Sequence, residues 1–185
     1  MPEFYGRAIE ALWGIFVLYW LVSMFGNKRT VYRSNPAWRI GIAVLVYLVF
    51  RYTYLWPVSL ESMPENTAVR VTGLIVCAAG LAIAIWARRT LGTNWSGNPT
   101  IKEGHELIQR GPYSVVRHPI YSGLLLMALG TFVTDGRWIY LWVFGVATVA
   151  LFFKLKTEES LMMQTFPAEY PEYQKRTKAL VPFVI

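Results

Sequence analysis

Long blocks of apolar residues alternate with short polar segments along most of the chain. Five such blocks follow one another, at residues 8–26, 40–56, 71–87, 120–133 and 138–153. Most of them approach the ~20 apolar residues that a helix needs to cross a bilayer. The pattern therefore predicts an all-α integral membrane protein with about five transmembrane helices.

The fourth and fifth blocks are separated only by residues 134–137, Thr-Asp-Gly-Arg, which is typical of a tight turn. They therefore predict a helical hairpin. The fourth block has about 14 residues, which is short for an independent crossing. We interpret it as an arm whose start is buried in a binding site rather than in lipid. A tilted helix or a locally thin bilayer is the alternative.

The longest polar segment, residues 90–118, lies between the third and fourth blocks and contains both histidines of the chain, His105 and His118. Proline disfavours the α conformation in the residue before it, so we expect an extended His118 and a helix that begins at Pro119. The start of a helix favours an anion. The segment is thus a candidate site, although a basic loop at the membrane surface has the same local chemistry.

Composition and charge support the membrane interpretation. Hydrophobic residues make up 55% of the 185 residues and charged residues 16%, with a net charge of +7. The basic residues lie in short loops, as orientation signals do, rather than on a nucleic-acid-binding face. The first loop carries Lys28, Arg29, Arg33 and Arg39, whereas the second carries Glu61 and Glu65. The positive-inside rule then predicts an outer N-terminus, with the long polar segment and the C-terminus in the cytoplasm.

Two further features narrow the class of protein. A cleavable signal peptide is disfavoured for the first block, because mixed charges precede it and no small-x-small cleavage site follows. The chain has a single cysteine, Cys77, inside an apolar block, so it cannot form an internal disulfide.

The tail after residue 153 has mixed charge. We expect Thr157 to cap a new helix that contains Glu158 and Glu159 and runs to Phe166, before Pro167 interrupts it. The two glutamates stand close to Lys154 at the membrane exit, although acids at a helix start are common without any binding role. The final Leu-Val-Pro-Phe-Val-Ile is suited to lying on the membrane surface.

Several motifs in the second half of the chain follow one another in a distinctive order and spacing, and with them the chain resembles the isoprenylcysteine carboxyl methyltransferase family, including its bacterial and phospholipid-methylating relatives. The resemblance covers about residues 84 to 185. The matching residues are Gly104-His105-Glu106-Leu107-Ile108, Gly111-Pro112-Tyr113, Arg117-His118-Pro119-Ile120-Tyr121, Gly123, Glu158-Glu159, Leu161, Phe166, Glu169-Tyr170, Tyr173 and Leu180-Val181-Pro182-Phe183.

The resemblance implies a membrane enzyme that transfers the methyl group of S-adenosylmethionine to a lipophilic, isoprenylcysteine-like carboxylate acceptor. It also implies a cytoplasmic cofactor site built from the loop before the fourth helix and the tail. The residues that it assigns to this site are His105, Glu106, Leu107, Ile108, Tyr113, His118, Pro119, Ile120, Tyr121 and Glu158. We expect no metal and no nucleic-acid partner. The whole chain, 1–185, is then one membrane domain with an N-terminal two-helix part, 1–70, and a catalytic three-helix part with the tail, 71–185.

The chain departs from the family pattern at two positions. Lys154 stands where the prenylcysteine enzymes have a substrate-facing arginine, and Pro167 replaces a glycine. Lysine keeps the positive charge but lacks the two-pronged geometry that arginine offers a carboxylate. We therefore expect catalytic roles for Lys154 and Glu158, with Arg117 as a second cation for the acceptor.

Three alternatives stay open on the sequence. A membrane reductase of the sterol-reductase type would use a nicotinamide cofactor in a similar C-terminal architecture. A phospholipid or thiol methyltransferase would need a general base, for which His118 is the first candidate. A small scaffold or transporter is disfavoured, because the charged residues gather at one face rather than along a path through the bilayer.

Overall fold

Five α-helices make up most of the chain that the structure, a computed structural model, describes; these are residues 2–33 and 66–181. The helices are α1 (Pro2–Ser23), α2 (Thr67–Leu91), α3 (Pro119–Asp135), α4 (Trp138–Thr165) and α5 (Glu169–Arg176). Short 3₁₀ turns at Gly92–Asn94 and Gly111–Ser114 interrupt the polar segment between α2 and α3.

Within this described part, three helical segments are long and apolar enough to cross a membrane: Glu3–Ser23, Thr67–Asn94 and Trp138–Thr165. They contain or overlap the predicted blocks 8–26, 71–87 and 138–153. The predicted block 120–133 corresponds to the shorter apolar helix α3, which begins at Pro119 as expected. The predicted block 40–56 lies outside the described residues.

A small sheet was not predicted. Strands β1 (Thr30–Arg33) and β2 (Thr100–Lys102) pair antiparallel, with Thr30 opposite Lys102 and Arg33 opposite Thr100. Lys28 reinforces the pairing, because its ammonium donates to the carbonyl oxygen of Gly104 at 2.8 Å and to Asn94 Oδ1 at 3.1 Å. The first basic loop is thereby held against the long polar segment.

The prediction of a separate helix capped by Thr157 is wrong. α4 continues without a break to Thr165, and the Thr157 hydroxyl donates to the carbonyl oxygen of Phe153 at 3.1 Å, which is a bond inside a helix. The physical reason is that the connecting Lys, Leu, Glu, Met and Gln residues favour helix, so nothing stops α4 before Pro167. Glu158 and Glu159 therefore lie on the same continuous helix as the apolar segment that is long enough to cross a membrane.

Helices α2 and α3 approach each other closely along a row of small residues. Gly73 and Gly80 on α2, and Gly123 and Gly130 on α3, are each spaced by seven and so share a face. A Cβ atom at Gly80 would lie 2.6 Å from the Gly123 carbonyl oxygen. Small residues allow this close backbone contact between membrane helices. The contact places the start of α3 beside the end of α2.

We expect Gly130→Ala to lower the thermal stability of the purified protein. Its methyl group would lie 2.6 Å from the Gly73 carbonyl oxygen and 2.8 Å from Cys77 Cα, so the two backbones would have to separate. Overpacking of this kind costs about 1–3 kcal/mol. Gly145→Ala on α4 is the matched control, because its methyl group would meet nothing within 4 Å. Equal melting temperatures for the two variants in one detergent would contradict the close α2–α3 contact.

Candidate functional site

One pocket collects almost all of the residues that the motifs singled out. It lies where the C-terminal ends of α1 and α2, the start of α3, the second half of α4 and the helix α5 meet. The predicted residues that line it are His105, Glu106, Leu107, Ile108, Tyr113, Arg117, His118, Ile120, Tyr121, Lys154 and Glu158.

Pro119 is the one predicted site residue that does not line the pocket. Its side chain is fully buried at the first position of α3, where the ring presets the helical φ angle. His118 before it has φ −126° and ψ 59°, outside the α region but short of the extended conformation that we expected. Pro119 thus sets the direction in which His118 and Tyr121 enter the pocket.

Glu158 is the centre of a polar cluster inside the pocket. The Tyr121 hydroxyl donates to Glu158 Oε1 at 2.6 Å, and Lys154 Nζ lies 3.9 Å from the same oxygen. His118 Nδ1 is 3.6 Å from Glu158 Oε2. The His118 ring stacks on that of Tyr121 with an interplanar angle of 4°. Lys154 and Glu158 are one helical turn apart on α4, so one rigid helix presents a cation and an anion side by side.

Glu159 points away from the pocket and binds Arg117. The Arg117 Nε donates to Glu159 Oε1 at 2.7 Å, with only 12% and 11% of the two side chains exposed. Arg117 Nη1 also donates to the carbonyl oxygen of Thr177. The guanidinium that we expected to be a second cation for the acceptor is thus already engaged, although Arg117 lines the pocket wall.

Backbone hydrogen bonds attach the C-terminal tail to the same loop. The amide of Arg117 donates to the Lys178 carbonyl oxygen at 2.8 Å, and the amide of His118 donates to that of Ala179 at 3.0 Å. Ala179 is buried. The part of the tail up to residue 181 therefore forms part of the wall behind the site, while residues 182–185, which we expected on the membrane surface, lie outside the described residues.

His105 offers the pocket a buried nitrogen, because its Nδ1 has no hydrogen-bond partner among the described residues. Burial, and after it the charges of Lys28 and Lys102, lower the pKa of His105, while Glu106 acts in the opposite direction. The imidazole is therefore neutral at pH 7. Glu106 itself lies 3.7 Å from Lys28 Nζ and is largely exposed. A neutral histidine with a free nitrogen is suited to a hydrogen bond with a polar ligand.

Two tyrosines of α5, Tyr170 and Tyr173, line the pocket together with Tyr113. The Tyr173 hydroxyl donates to the carbonyl oxygen of Tyr113 at 2.6 Å. Burial raises the pKa of Tyr173 to about 12 and raises that of Tyr113 and Tyr170 as well. All three phenols are consequently neutral and act as apolar walls with a hydrogen-bonding tip.

Sequence reasoning missed an aromatic wall of the pocket. Trp20 from α1 and Trp95 from the loop after α2 meet edge to face, with ring centroids 6.3 Å apart. Arg88 holds this wall in place: its guanidinium carbon lies 4.6 Å from the Trp95 ring centroid, and Nη2 donates to Asn27 Oδ1 at 3.1 Å. The sequence does not reveal that the two tryptophans meet, since their contact depends on how α1 packs beside α2 and the loop after it.

Within residues 2–33 and 66–181, no group of three or more His, Cys, Asp or Glu side chains is placed to hold a metal ion. The expectation that the protein needs no metal stays a prediction.

Comparisons with known proteins agree with these motifs. The family model for phospholipid methyltransferases matches residues 68–169. A protein-S-isoprenylcysteine O-methyltransferase of Schizosaccharomyces pombe is 31% identical over 182 residues, which covers 93% of this chain and 72% of that protein. The human protein of the same name is 32% identical over 138 residues, which covers 70% of this chain and 45% of that protein.

A further relative and a solved structure extend the comparison. Protein-S-isoprenylcysteine O-methyltransferase B of Arabidopsis thaliana is 37% identical over 84 residues, 45% of this chain and 43% of that protein. A solved structure of the eukaryotic intramembrane Ras methyltransferase, isoprenylcysteine carboxyl methyltransferase, superposes with a TM-score of 0.57 at 25% identity. It covers 83% of this chain and 55% of that one. The chain therefore spans only about half the length of several of these proteins.

Proposed function

The chain belongs to the isoprenylcysteine carboxyl methyltransferase family of integral membrane proteins, and from this premise we propose that it transfers the methyl group of S-adenosylmethionine to the carboxylate of a lipophilic acceptor. The observation that carries the proposal is the Glu158 cluster: an anion and a cation from one helix share a pocket with the family's motif residues at the end of the membrane spans.

The residues fit the cofactor. Its ammonium and sulfonium groups suit the Glu158 carboxylate, and its carboxylate suits the positive end of α3. His105 Nδ1, which has no hydrogen-bond partner in the described part of the chain, offers a hydrogen bond. Tyr113, Leu107 and Ile108 line an apolar wall of the kind an adenine ring needs. When bound, S-adenosylmethionine supplies an electrophilic methyl group.

The acceptor side is assigned to Lys154 and the apolar wall. Lys154 holds the acceptor carboxylate as a point charge, and Trp20, Leu124 and Leu151 line the pocket beside it for a lipid-like tail. Lys154 Nζ lies 5.2 Å from the Tyr121 ring centroid, which directs it toward the pocket. Arg117 keeps the tail in place and does not bind the acceptor.

The reaction requires these residues to align the acceptor carboxylate with the methyl group and to remove water from it, and it requires no proton transfer. A carboxylate acceptor is already ionised at neutral pH, so no general base is required. The pocket must orient the acceptor oxygen toward the methyl carbon and remove water from it. An amine or thiol acceptor would need a base, and His118, which lies 3.6 Å from Glu158 and 3.5 Å from Glu159, is placed to be one.

The experiment that tests the proposal is ligand binding followed by an acceptor series. S-adenosylhomocysteine should bind the detergent-purified protein in calorimetry and raise its melting temperature, because a ligand that binds only the folded state stabilises it. Methyl transfer is then measured to a prenylcysteine, a phosphatidylethanolamine and a prenyl thiol. Transfer to the prenylcysteine alone supports the carboxylate assignment. Stabilisation by a reduced nicotinamide cofactor but not by S-adenosylhomocysteine would instead indicate the reductase.

We further propose that the pocket faces the cytoplasm, and that residues 1–70 and 71–185 form the N-terminal and catalytic parts of one membrane domain. The support is that Lys28 and the Gly104 region share one end of the helices and that both loops are basic. A reporter fused after the C-terminus should give a cytoplasmic signal, and an outer signal there would reject this orientation.

A further inference from the structure

The pocket has a charged side and an uncharged polar side. The charged side contains the cluster of His118, Lys154 and Glu158. The uncharged side is the segment 94–100, which runs from the 3₁₀ turn after α2 to the start of β2 and contains no charged residue. Its hydroxyl and amide side chains that line the pocket are those of Asn94, Ser96, Asn98 and Thr100. None of the four belongs to the motifs of the family resemblance.

Thr100 carries a hydroxyl group without a hydrogen-bond partner. The residue is only 6% exposed, and its Oγ1 is a buried atom that no other group in the described part of the chain engages. The backbone of Thr100 is fixed by its pairing in the sheet of β1 and β2. A buried hydroxyl without a partner destabilises the folded protein. A polar ligand in the pocket would supply that partner.

Lys28 fixes the orientation of a second group, the Asn94 amide. Lys28 Nζ donates to Asn94 Oδ1 at 3.1 Å, and an ammonium group can only donate. The amide oxygen therefore faces Lys28, and the Nδ2 group is left to donate to a ligand. The same ammonium donates to the Gly104 carbonyl oxygen at 2.8 Å, which holds Asn94 close to the segment that carries His105.

A neutral ligand group with several hydroxyls fits this side of the pocket. The segment 94–100 has no charge that could compensate a buried ion. S-adenosylmethionine carries its charges at the amino-acid end and none on its nucleoside, and its ribose has two adjacent hydroxyl groups that each donate and accept. With the charged end at Glu158, the ribose is the part of the cofactor that remains for the uncharged side.

We propose that the uncharged side of the pocket is a ribose subsite, in which the Thr100 hydroxyl and the Asn94 amide bind the ribose hydroxyls of S-adenosylmethionine. This assignment rests on the proposed methyltransferase function and adds residues to it from outside the family motifs. Through Lys28, the loop after α1 also contributes to the geometry of the cofactor site.

The test is calorimetric binding of S-adenosylhomocysteine and of its 2′-deoxy and 3′-deoxy analogues to the detergent-purified protein. Thr100→Val keeps the shape of the side chain and removes the hydroxyl. It should weaken S-adenosylhomocysteine binding by about fivefold, as expected for one neutral hydrogen bond. Its melting temperature without ligand should not fall, because the hydroxyl that is removed has no partner in the described part of the protein.

Thr72→Val is the matched control and should bind all three ligands like the wild type. Thr72 is exposed near the start of α2, and its hydroxyl donates to the Ala68 carbonyl oxygen at 2.8 Å within the same helix. It lies at the opposite end of α2 from the segment 94–100.

The deoxy analogues show whether Thr100 contacts the ribose. Wild-type protein should bind one of them about fivefold more weakly than S-adenosylhomocysteine. Thr100→Val should bind that analogue as tightly as the wild type does, since the contact is already missing. An equal loss for all three ligands in Thr100→Val would overturn the ribose subsite, because a general defect in the pocket has that effect.

The remaining outcomes separate this proposal from the proposed function. An unchanged S-adenosylhomocysteine dissociation constant in Thr100→Val overturns the ribose subsite and leaves the methyltransferase proposal in place. A raised acceptor KM in that variant would then assign the segment 94–100 to the acceptor. A wild-type protein that binds no S-adenosylhomocysteine overturns both proposals.

Discussion

Replacing Glu158 by glutamine should weaken S-adenosylhomocysteine binding by about tenfold or more, since hydrogen bonds to a charged partner contribute about 1.5–3 kcal/mol. The substitution keeps the size of the side chain and an oxygen that can accept the Tyr121 hydroxyl, which now lies 2.6 Å away. It removes only the negative charge that the proposal assigns to the cofactor's ammonium. Calorimetry with the purified variant measures the dissociation constant directly.

Lys154→Ala is the comparison that makes this result specific. Lys154 stands one turn earlier on the same face of α4, 3.9 Å from the Glu158 carboxylate. Its loss should raise the acceptor KM or lower kcat while leaving the S-adenosylhomocysteine dissociation constant near the wild-type value. If both variants lost cofactor affinity equally, the assignment of one residue to the cofactor and the other to the acceptor would be wrong.

Glu159→Gln should damage stability rather than ligand binding. The variant leaves the Arg117 guanidinium buried without its charged partner, and removing one member of a buried ion pair costs about 3–5 kcal/mol. Because Arg117 also donates to the Thr177 carbonyl oxygen, the tail should detach and become sensitive to limited proteolysis. Thermal unfolding and the protease digestion pattern are the measurements.

Two further variants test the origin of that loss. Glu172→Gln removes an acid from the fully exposed pair with Lys175 and should melt like the wild type, since exposed pairs contribute little. The double variant Arg117→Met/Glu159→Met should recover much of the stability, because two apolar groups leave no charge uncompensated. A double variant as unstable as Glu159→Gln would indicate that another feature holds the tail.

The surroundings of Glu159 are a feature that the sequence alone does not reveal. Adjacent positions on a helix point about 100° apart, so the sequence indicated that Glu158 and Glu159 face different surroundings. The different directions are present, but Glu159 meets Arg117, a residue 42 positions earlier in the chain. Which surroundings a side chain meets depends on the packing of α4 against the loop and the tail.

The polar loop after α2 gives a second example. Its length and its charges were evident, and His105 to Ile108 were placed in a pocket by resemblance to a family. That Trp95 of this loop meets Trp20 of α1, and that Lys28 donates to the Gly104 carbonyl oxygen, depends on contacts between segments some 75 residues apart. No periodicity within either segment carries that information.

The sequence by itself determined the features that follow from local chemistry. Apolar block length predicted the helices α1, α2, α3 and α4, and Pro119 set the start of α3 through its fixed φ angle. Motif order identified the family. Only the tertiary structure decided that α4 runs unbroken past Thr157, that Arg117 pairs with Glu159, and that Trp20 meets Trp95. The physical reason is that helix formation depends on neighbours within a few residues, whereas the partner of a charged side chain depends on which helices pack together.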